Sequence, residues 1–426
     1  MPQPVCFSDA TYYDSRLYPD IVAAMQDYPD VCSIGLESFQ FKVVGVLLVA
    51  ESPIVIFPKN YDIVADANLQ IQEARTLTRA LLRYRNEVHH ERDEISLLYG
   101  NDAAGSDRIV AAANLLEDFC LNGYVQRRIE KITQNCTGHT DWNLTINKTV
   151  PVFSKGAPAY ILPVVHRRNI DEQNIVYLTH KYVISECFKE WGWLFDYDDY
   201  VESCVTLPCP IEELIDLLKN ELRHTYLDRE IYVIQNLIQY LSEKSGHEQR
   251  KKLDLLATPY FSFVWEAICA YLFDNKYSQL RTLLPQPEWE SDFVRGNISQ
   301  RPDIFMTGAD ALYILDAKYY NYNHNIPGWH DVVKQLFYRH TMMSIRETRE
   351  YMRLLPFARN IYNAFIMPGS GTGLLYLGRV YVPSITDLGE IKAFAIDQRK
   401  ALSAYAYRNS GAYMQTVRTE LACAFC

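Results

Sequence analysis

Apolar runs along this chain come in two lengths, and the difference separates strands from helices. Val43 to Phe57 is apolar but interrupted by Glu51-Ser52-Pro53, which predicts a hairpin within Phe41 to Tyr61 rather than one long element. An amphipathic helix is expected near Ala65 to Asn86. From 111 to 245 the pattern gives a helix, then strands near Gly123 to Lys131 and Asn143 to Phe153. Helices follow near Leu178 to Trp191, Ile211 to Leu222 and Asp228 to Ser242. The charged stretch Ser242 to Lys252 reads either as a linker or as an extension of the preceding helix. Pro259 to Phe273 is apolar except for Glu266 and is long enough for a buried helix. Beyond it the order is helix, strand, strand, helix, strand, strand, helix. The expected divisions are 1–110 (α+β), 111–252 (mixed helices and strands) and 253–426, an α/β domain with a mixed central sheet flanked by helices.

The chemistry concentrates in that last division. Arg301-Pro302-Asp303 opens one strand-like segment, and Asp316-Ala317-Lys318 closes the apolar run Leu312 to Leu315 after a turn at Thr307 to Asp310. Neighbouring strand ends would bring Asp303 to Asp316, and the period of two puts Lys318 on the face of Asp316. Carboxylate oxygens suit hard cations, and phosphodiester hydrolysis needs a polarised phosphoryl oxygen and an activated water. The alternative is a turn aspartate beside a charged strand end. Each half is common: the chain has three Pro-Asp dipeptides and three acidic-x-Lys triplets, including Asp274-Asn275-Lys276 and Glu390-Ile391-Lys392. Only the central pair joins the two across a hairpin. Glu266 is costly on an apolar helix unless paired, hydrogen-bonded or near a metal. A helix from Gly328 to Arg353 would align Gln335, Arg339, Arg346, Arg349 and Arg353 in one stripe, either a solvated face or a row of phosphate contacts.

Composition narrows the class. With 426 residues, 48% of them apolar, the chain can bury sizeable cores in two or three domains. Its net charge of -10 argues against a free-standing DNA binder, although a cleavage subunit can take its DNA affinity from a partner. The acidic balance can sit elsewhere, as in Asp196-Tyr197-Asp198-Asp199 or Glu212-Glu213. No Gly-x-x-x-x-Gly-Lys-Ser/Thr phosphate loop occurs, so no nucleotide is expected on this chain, and Gly369 to Gly373 reads as a hairpin turn. No signal peptide or membrane span is apparent, which points to the cytoplasm and to ten reduced cysteines. Cys423-x-x-Cys426 lacks the second pair that a four-ligand cluster needs, and His89-His90-Glu91 reads as a solvated loop.

The strings VWEAIC, LLPQPEW, RPDI, YILDAKYY and PGWHDVVKQLFY resemble the LlaJI-type restriction endonucleases, relatives of McrC within the PD-(D/E)xK nuclease superfamily. Upstream, VGVLLVAESPIVIFPKNY, LLEDFCLNGY, DWNLTINKTVPVF and THKYVISECF are similar to that family's N-terminal half. The resemblance implies a PD-(D/E)xK fold for 253–426. Asp303 and Asp316 would be metal-binding carboxylates, with the Ala317 carbonyl completing the shell of Mg2+ or Mn2+. Lys318 would orient and acidify the attacking water, and Glu266 would be the acid on the preceding helix. Gln335 and Tyr338 resemble the superfamily's accessory-helix pair, with two residues between them where many relatives have three. The partners implied are double-stranded DNA and a hexameric McrB-like AAA+ GTPase. Two readings stay open beside that one: a regulatory module that stimulates the motor without cutting, and a stand-alone structure-specific nuclease.

Overall fold

The apolar hairpin forms with Val44–Val49 antiparallel to Ser52–Phe57, from Gly45↔Ile56 to Val49↔Ser52. The computed structural model describes residues 3–49, 52–87, 105–106, 108–134, 139–196, 206–250, 253–287, 300–371, 373–408 and 411–425. It describes backbone alone for 105–106, 128–134, 154, 166–169 and 246–250. His89, His90, Asp198 and Cys426 lie outside these residues.

Val5–Ser8 joins the hairpin in parallel through Ser52–Phe57, and Leu253–Thr258 joins it on the other side, antiparallel to Val44–Val49 from Asp254↔Leu48 to Thr258↔Val44. Gly105–Ser106 completes this five-stranded sheet beside Leu253–Thr258. Gly45 makes the pairing possible: a Cβ there would run into the Leu256 carbonyl and Ala257, and its φ of 150° is one that side chains disfavour. Phe7, Phe39, Phe41, Leu47, Ile54, Ile56 and Leu253 share one buried cluster behind the sheet.

That pairing revises the domain organisation. The chain forms two units, Met1–Gly105 together with Leu253–Cys426, and Ser106–Lys252. The expected division at 110 and 252 falls close to where the chain leaves and rejoins the first unit. Residues 1–110 and 253–426 are nevertheless not separate domains, because Leu253–Thr258 completes the N-terminal sheet. Ala67–Glu87 also packs in this unit, where its Glu73 pairs with Arg399 and its Glu87 with Arg408 at 2.8 Å.

Within the second unit the helices Arg108–Asn122, Ile175–Phe195, Ile211–Arg223 and Asp228–Arg250 accompany a sheet ordered Arg128–Gln134, Val164–Ile170, His139–Thr140. The strand expected at Asn143 to Phe153 is instead the helix Trp142–Lys148, followed by a strand only at Val152–Ser154. Asp141 decides it by accepting the Leu144 N–H at 2.9 Å, an N-cap that starts a helix despite β-branched neighbours. Of the two readings of Ser242 to Lys252, the helix extension holds as far as Arg250.

The second five-stranded sheet of the first unit runs Ile304–Thr307, Ala311–Ala317, Asn360–Gly369, Glu390–Asp397, Leu375–Tyr381. Its outer pairings are antiparallel and its two central ones parallel, a mixed sheet flanked by helices. Gly369 to Gly373 therefore does not turn a hairpin. Glu390–Asp397, which the apolar pattern did not reveal, lies between the strands on either side of that loop. No helix among the described residues is long and apolar enough to cross a membrane.

Candidate active site

Ala311–Ala317 is buried at every position because it pairs on both edges, antiparallel to Ile304–Thr307 and parallel to Asn360–Gly369. The first register, Ile304↔Leu315, continued by one residue, sets Asp303 opposite Asp316. Asp303 Oδ2 accepts the Ala317 N–H at 3.0 Å. Asn275 clamps the same corner: its Nδ2 donates to the Asp303 carbonyl at 2.8 Å and its Oδ1 accepts the Phe305 N–H at 3.0 Å. Asn275 lies in one of the acidic-x-Lys triplets, where only the charges had drawn notice. One residue past the strand, the Lys318 N–H donates to the Ile366 carbonyl at 2.9 Å.

The Lys318 ammonium lies between two carboxylates, 2.7 Å from Asp316 Oδ2 and 2.9 Å from Asp331 Oδ1. Asp331, in the first turn of the helix Trp329–Ile345, had no place in the sequence reading beyond the string PGWHD. It also accepts from the Tyr320 hydroxyl at 3.4 Å and the Gly328 N–H at 3.3 Å. Burial works to lower the Lys318 pKa, but the two carboxylates outweigh it and hold the ammonium above its ordinary range. Burial would raise Asp331, yet Lys318 and the Gly328 N–H keep it below the usual carboxylate value. The other acids move the opposite way. Burial, then the charges of Asp316 and Glu266, push Asp303 up to about 7. Asp316 is raised by burial against the pull of Lys318, and Glu266 by burial and the Asp316 charge. Glu266 is carried into this group by the helix Phe261–Leu272, whose Trp265 Nε1 donates to the Ile366 carbonyl at 3.3 Å.

The helix Trp329–Ile345 pins both acid-bearing segments. Gln335 Nε2 donates to the Ile314 carbonyl at 2.7 Å, and the Tyr338 hydroxyl to the Arg301 carbonyl at 3.2 Å. Buried Gln335 thus holds the strand of Asp316, while Tyr338 holds the segment entering Asp303. The arginine stripe does not survive. The helix ends at Ile345 and another begins at Arg349, with Arg346 and Thr348 between them, so the four arginines share no single helical face. Arg339 is spent inside the protein, donating to the Ile361 carbonyl at 2.9 Å and the Asp387 carbonyl at 3.1 Å. Arg346, Arg349 and Arg353 are exposed.

Against this geometry, residues 43–382 match the LlaJI restriction endonuclease family. The chain belongs to the LlaJI restriction endonuclease family. Among curated proteins it is similar to the Type II restriction enzyme BsuMI component YdjA of Bacillus subtilis (strain 168), 26% identical over 356 residues that cover 78% of this chain and 73% of that protein. Among solved structures it aligns with the half-complex of Thermococcus gammatolerans McrB AAA+ hexamers with bound McrC. That match has 13% identity and a TM-score of 0.42, over 99% of this chain and 100% of that one. It also aligns with the Thermococcus gammatolerans McrBC complex at 12% identity and a TM-score of 0.28, over 56% and 79% of the two chains. Membership of the LlaJI family supports a nuclease of a restriction system.

The donor set of this LlaJI-family chain suits a hard divalent cation. Glu266, Asp303 and Asp316 offer oxygen ligands only, and burial with mutual repulsion disfavours their charges, which a cation would neutralise. Lys318 Nζ lies 2.7 Å from Asp316 Oδ2, a buried oxygen for which no other partner is found among the described residues. Those residues contain no group of three His, Cys, Asp or Glu side chains already placed to hold an ion. An ion held by Asp303 and Asp316 would compete with the Lys318 ammonium for Asp316 Oδ2.

Proposed function

We propose that this chain is a PD-(D/E)xK endonuclease, a type II/IV-like restriction endodeoxyribonuclease that cuts double-stranded DNA with Mg2+ or Mn2+. The observation that carries the reading is the meeting of Asp303, Glu266 and Lys318, each half-buried, around buried Asp316, with all three acids raised in pKa. Asp303, Asp316 and the Ala317 carbonyl would hold the metal, with Glu266 beside them. When bound, the metal polarises the scissile phosphoryl oxygen. Lys318, kept charged by Asp331, donates to the attacking water and orients it toward phosphorus. Gln335 serves by holding the Ile314 carbonyl and hence the register of Asp316. Arg346, Arg349 and Arg353 are the exposed cations assigned to the DNA backbone, and Arg339 leaves that set.

The proposal extends to an McrB-like AAA+ GTPase as partner. Family membership supports it, and a net charge of -10 makes unaided DNA binding weak. The test is to incubate the purified chain with plasmid DNA and Mg2+, with and without the GTPase and GTP. Cutting that requires both, stops in EDTA and disappears in Asp316→Ala is expected. Undiminished cutting in EDTA overturns the metal nuclease, and robust cutting without the motor makes the chain a stand-alone nuclease. Stimulated GTPase with no cutting makes it a regulatory module.

A further inference from the structure

The residue after Lys318 is gripped by the N-terminal region. The Tyr319 hydroxyl accepts the Lys59 backbone N–H at 2.7 Å and donates to Asp9 Oδ2 at 3.2 Å, while Lys59 Nζ sits 4.9 Å from the centre of its ring. Lys59 Nζ is also 3.9 Å from Asp9 Oδ2, so the three residues form one charged, half-buried knot. Asn60 Nδ2 donates to the Tyr320 carbonyl at 3.1 Å, and the Tyr320 hydroxyl in turn reaches Asp331, the second partner of Lys318. Asp9, Lys59 and Asn60 follow directly on Val5–Ser8 and Ser52–Phe57, two strands of the N-terminal sheet.

A second connection runs through the acid-bearing helix. Leu253–Thr258, a strand of that same sheet, passes through only Pro259 and Tyr260 into Phe261–Leu272, the helix of Glu266. The ring of Phe261 lies 5.2 Å from that of Tyr319, so the start of the helix and the end of the catalytic strand touch at the tyrosine. Past the Lys318 N–H bond to Ile366, the sheet no longer dictates where the chain goes. The N-terminal contacts take over there.

We propose that Tyr319 is a positioning residue through which Asp9, Lys59 and Asn60 of the N-terminal sheet set the place of Lys318 and of the Glu266 helix. The reactive geometry then depends on the state of the N-terminal region, and a partner bound to that region can change cutting without touching the acids. The inference rests on the nuclease reading for its consequence and on these contacts for its mechanism.

The experiment uses the full chain, with the GTPase and GTP if cutting needs them, and compares wild type, Tyr319→Phe, Asn60→Ala and Asp316→Ala. Tyr319→Phe keeps the ring on Phe261 and removes only the hydroxyl. The expected result is a fall in kcat of about tenfold, or ~1.4 kcal/mol in the barrier, with KM for DNA unchanged. Backbone hydrogen exchange should quicken in peptides spanning 316–320 and stay unchanged in Glu390–Asp397. Asn60→Ala should move both readouts the same way by less. Unaltered kcat and unaltered exchange overturn the proposal, as does faster exchange spread evenly over the chain, which would mean simple destabilisation. Asp316→Ala judges the nuclease reading separately: if it cuts like wild type, that reading falls. If wild type never cuts, the exchange measurement alone decides the positioning role, with acceleration confined to 316–320 supporting it and none overturning it.

Discussion

Asp303 gives the site a pH signature that can be read without any substrate. Its folded pKa, about 7, stands above the unfolded value of ~3.9, so the folded state holds a proton the unfolded state has lost. No penalty exists below the unfolded pKa; it grows as pH rises and is complete above the folded pKa. Asp303→Asn cannot ionise but still accepts the Ala317 N–H. The metal-free variant is therefore expected to melt near wild type at pH 4 and several degrees above it at pH 8. A melting difference that stays constant with pH contradicts this. Lys318 is expected to behave differently from its acidic partner. Lys318→Ala should lower cutting by roughly 10²- to 10⁴-fold and also cost about 1–3 kcal/mol of stability, because Asp316 and Asp331 then face each other without a cation. Asp316→Asn should abolish cutting with stability kept or raised. Calorimetry beside a cleavage assay separates the two, and a Lys318→Ala chain as stable as wild type would show that the double pairing contributes nothing.

At the scale of elements, the arginines illustrate what a sequence pattern hides. A stripe computed at 100° per residue presumes an unbroken helix, and the Thr348 N-cap, accepting the Tyr351 N–H at 3.3 Å, starts a new one within it. Arg339→Ala should therefore lower the melting temperature by removing its bonds to the Ile361 and Asp387 carbonyls, and leave the salt dependence of DNA binding alone. Replacing Arg346, Arg349 and Arg353 together should instead flatten the slope of log K against log salt by about 0.9 for each phosphate no longer neutralised. An unchanged slope makes them a solvated face. The pair of acid-bearing segments was legible because its apolar run and short turn carry the hairpin locally, and the lysine came with it. Asp331 and Asn275 were not, since Asp331 acts on a lysine thirteen residues earlier and Asn275 on a strand start about thirty residues later, pairings that only the fold brings together. Glu390–Asp397 escaped for a related reason: Glu390 and Lys392 break its apolar pattern, and its place between two strands depends on pairing on both edges. Trp142–Lys148 was misread because a single side-chain cap outweighed the preferences of the residues it started.

At the scale of the whole molecule, residues 107–252 are inserted between two neighbouring strands of one sheet, Gly105–Ser106 and Leu253–Thr258. Replacing them by a short Gly/Ser linker should leave the first unit folded, with a single cooperative thermal transition by circular dichroism. A fragment ending near residue 245, which cuts at the chemical boundary, lacks Leu253–Thr258. It should expose the edge of Val44–Val49 and melt without cooperativity, and a sharp transition in that fragment would show the strand to be dispensable. The same topology sets a timetable for a chain emerging from the ribosome. Leu48 meets Asp254 only after about two hundred further residues have been made, some ten to forty seconds at ordinary rates of about 5–20 residues per second. During that interval the aromatic cluster around Phe7, Phe39 and Phe41 has its hairpin but not its fourth strand, while all of 107–252 has already been synthesised. Because the Glu266 helix follows that late strand by only two residues, its placement is expected to wait until the N-terminal sheet closes.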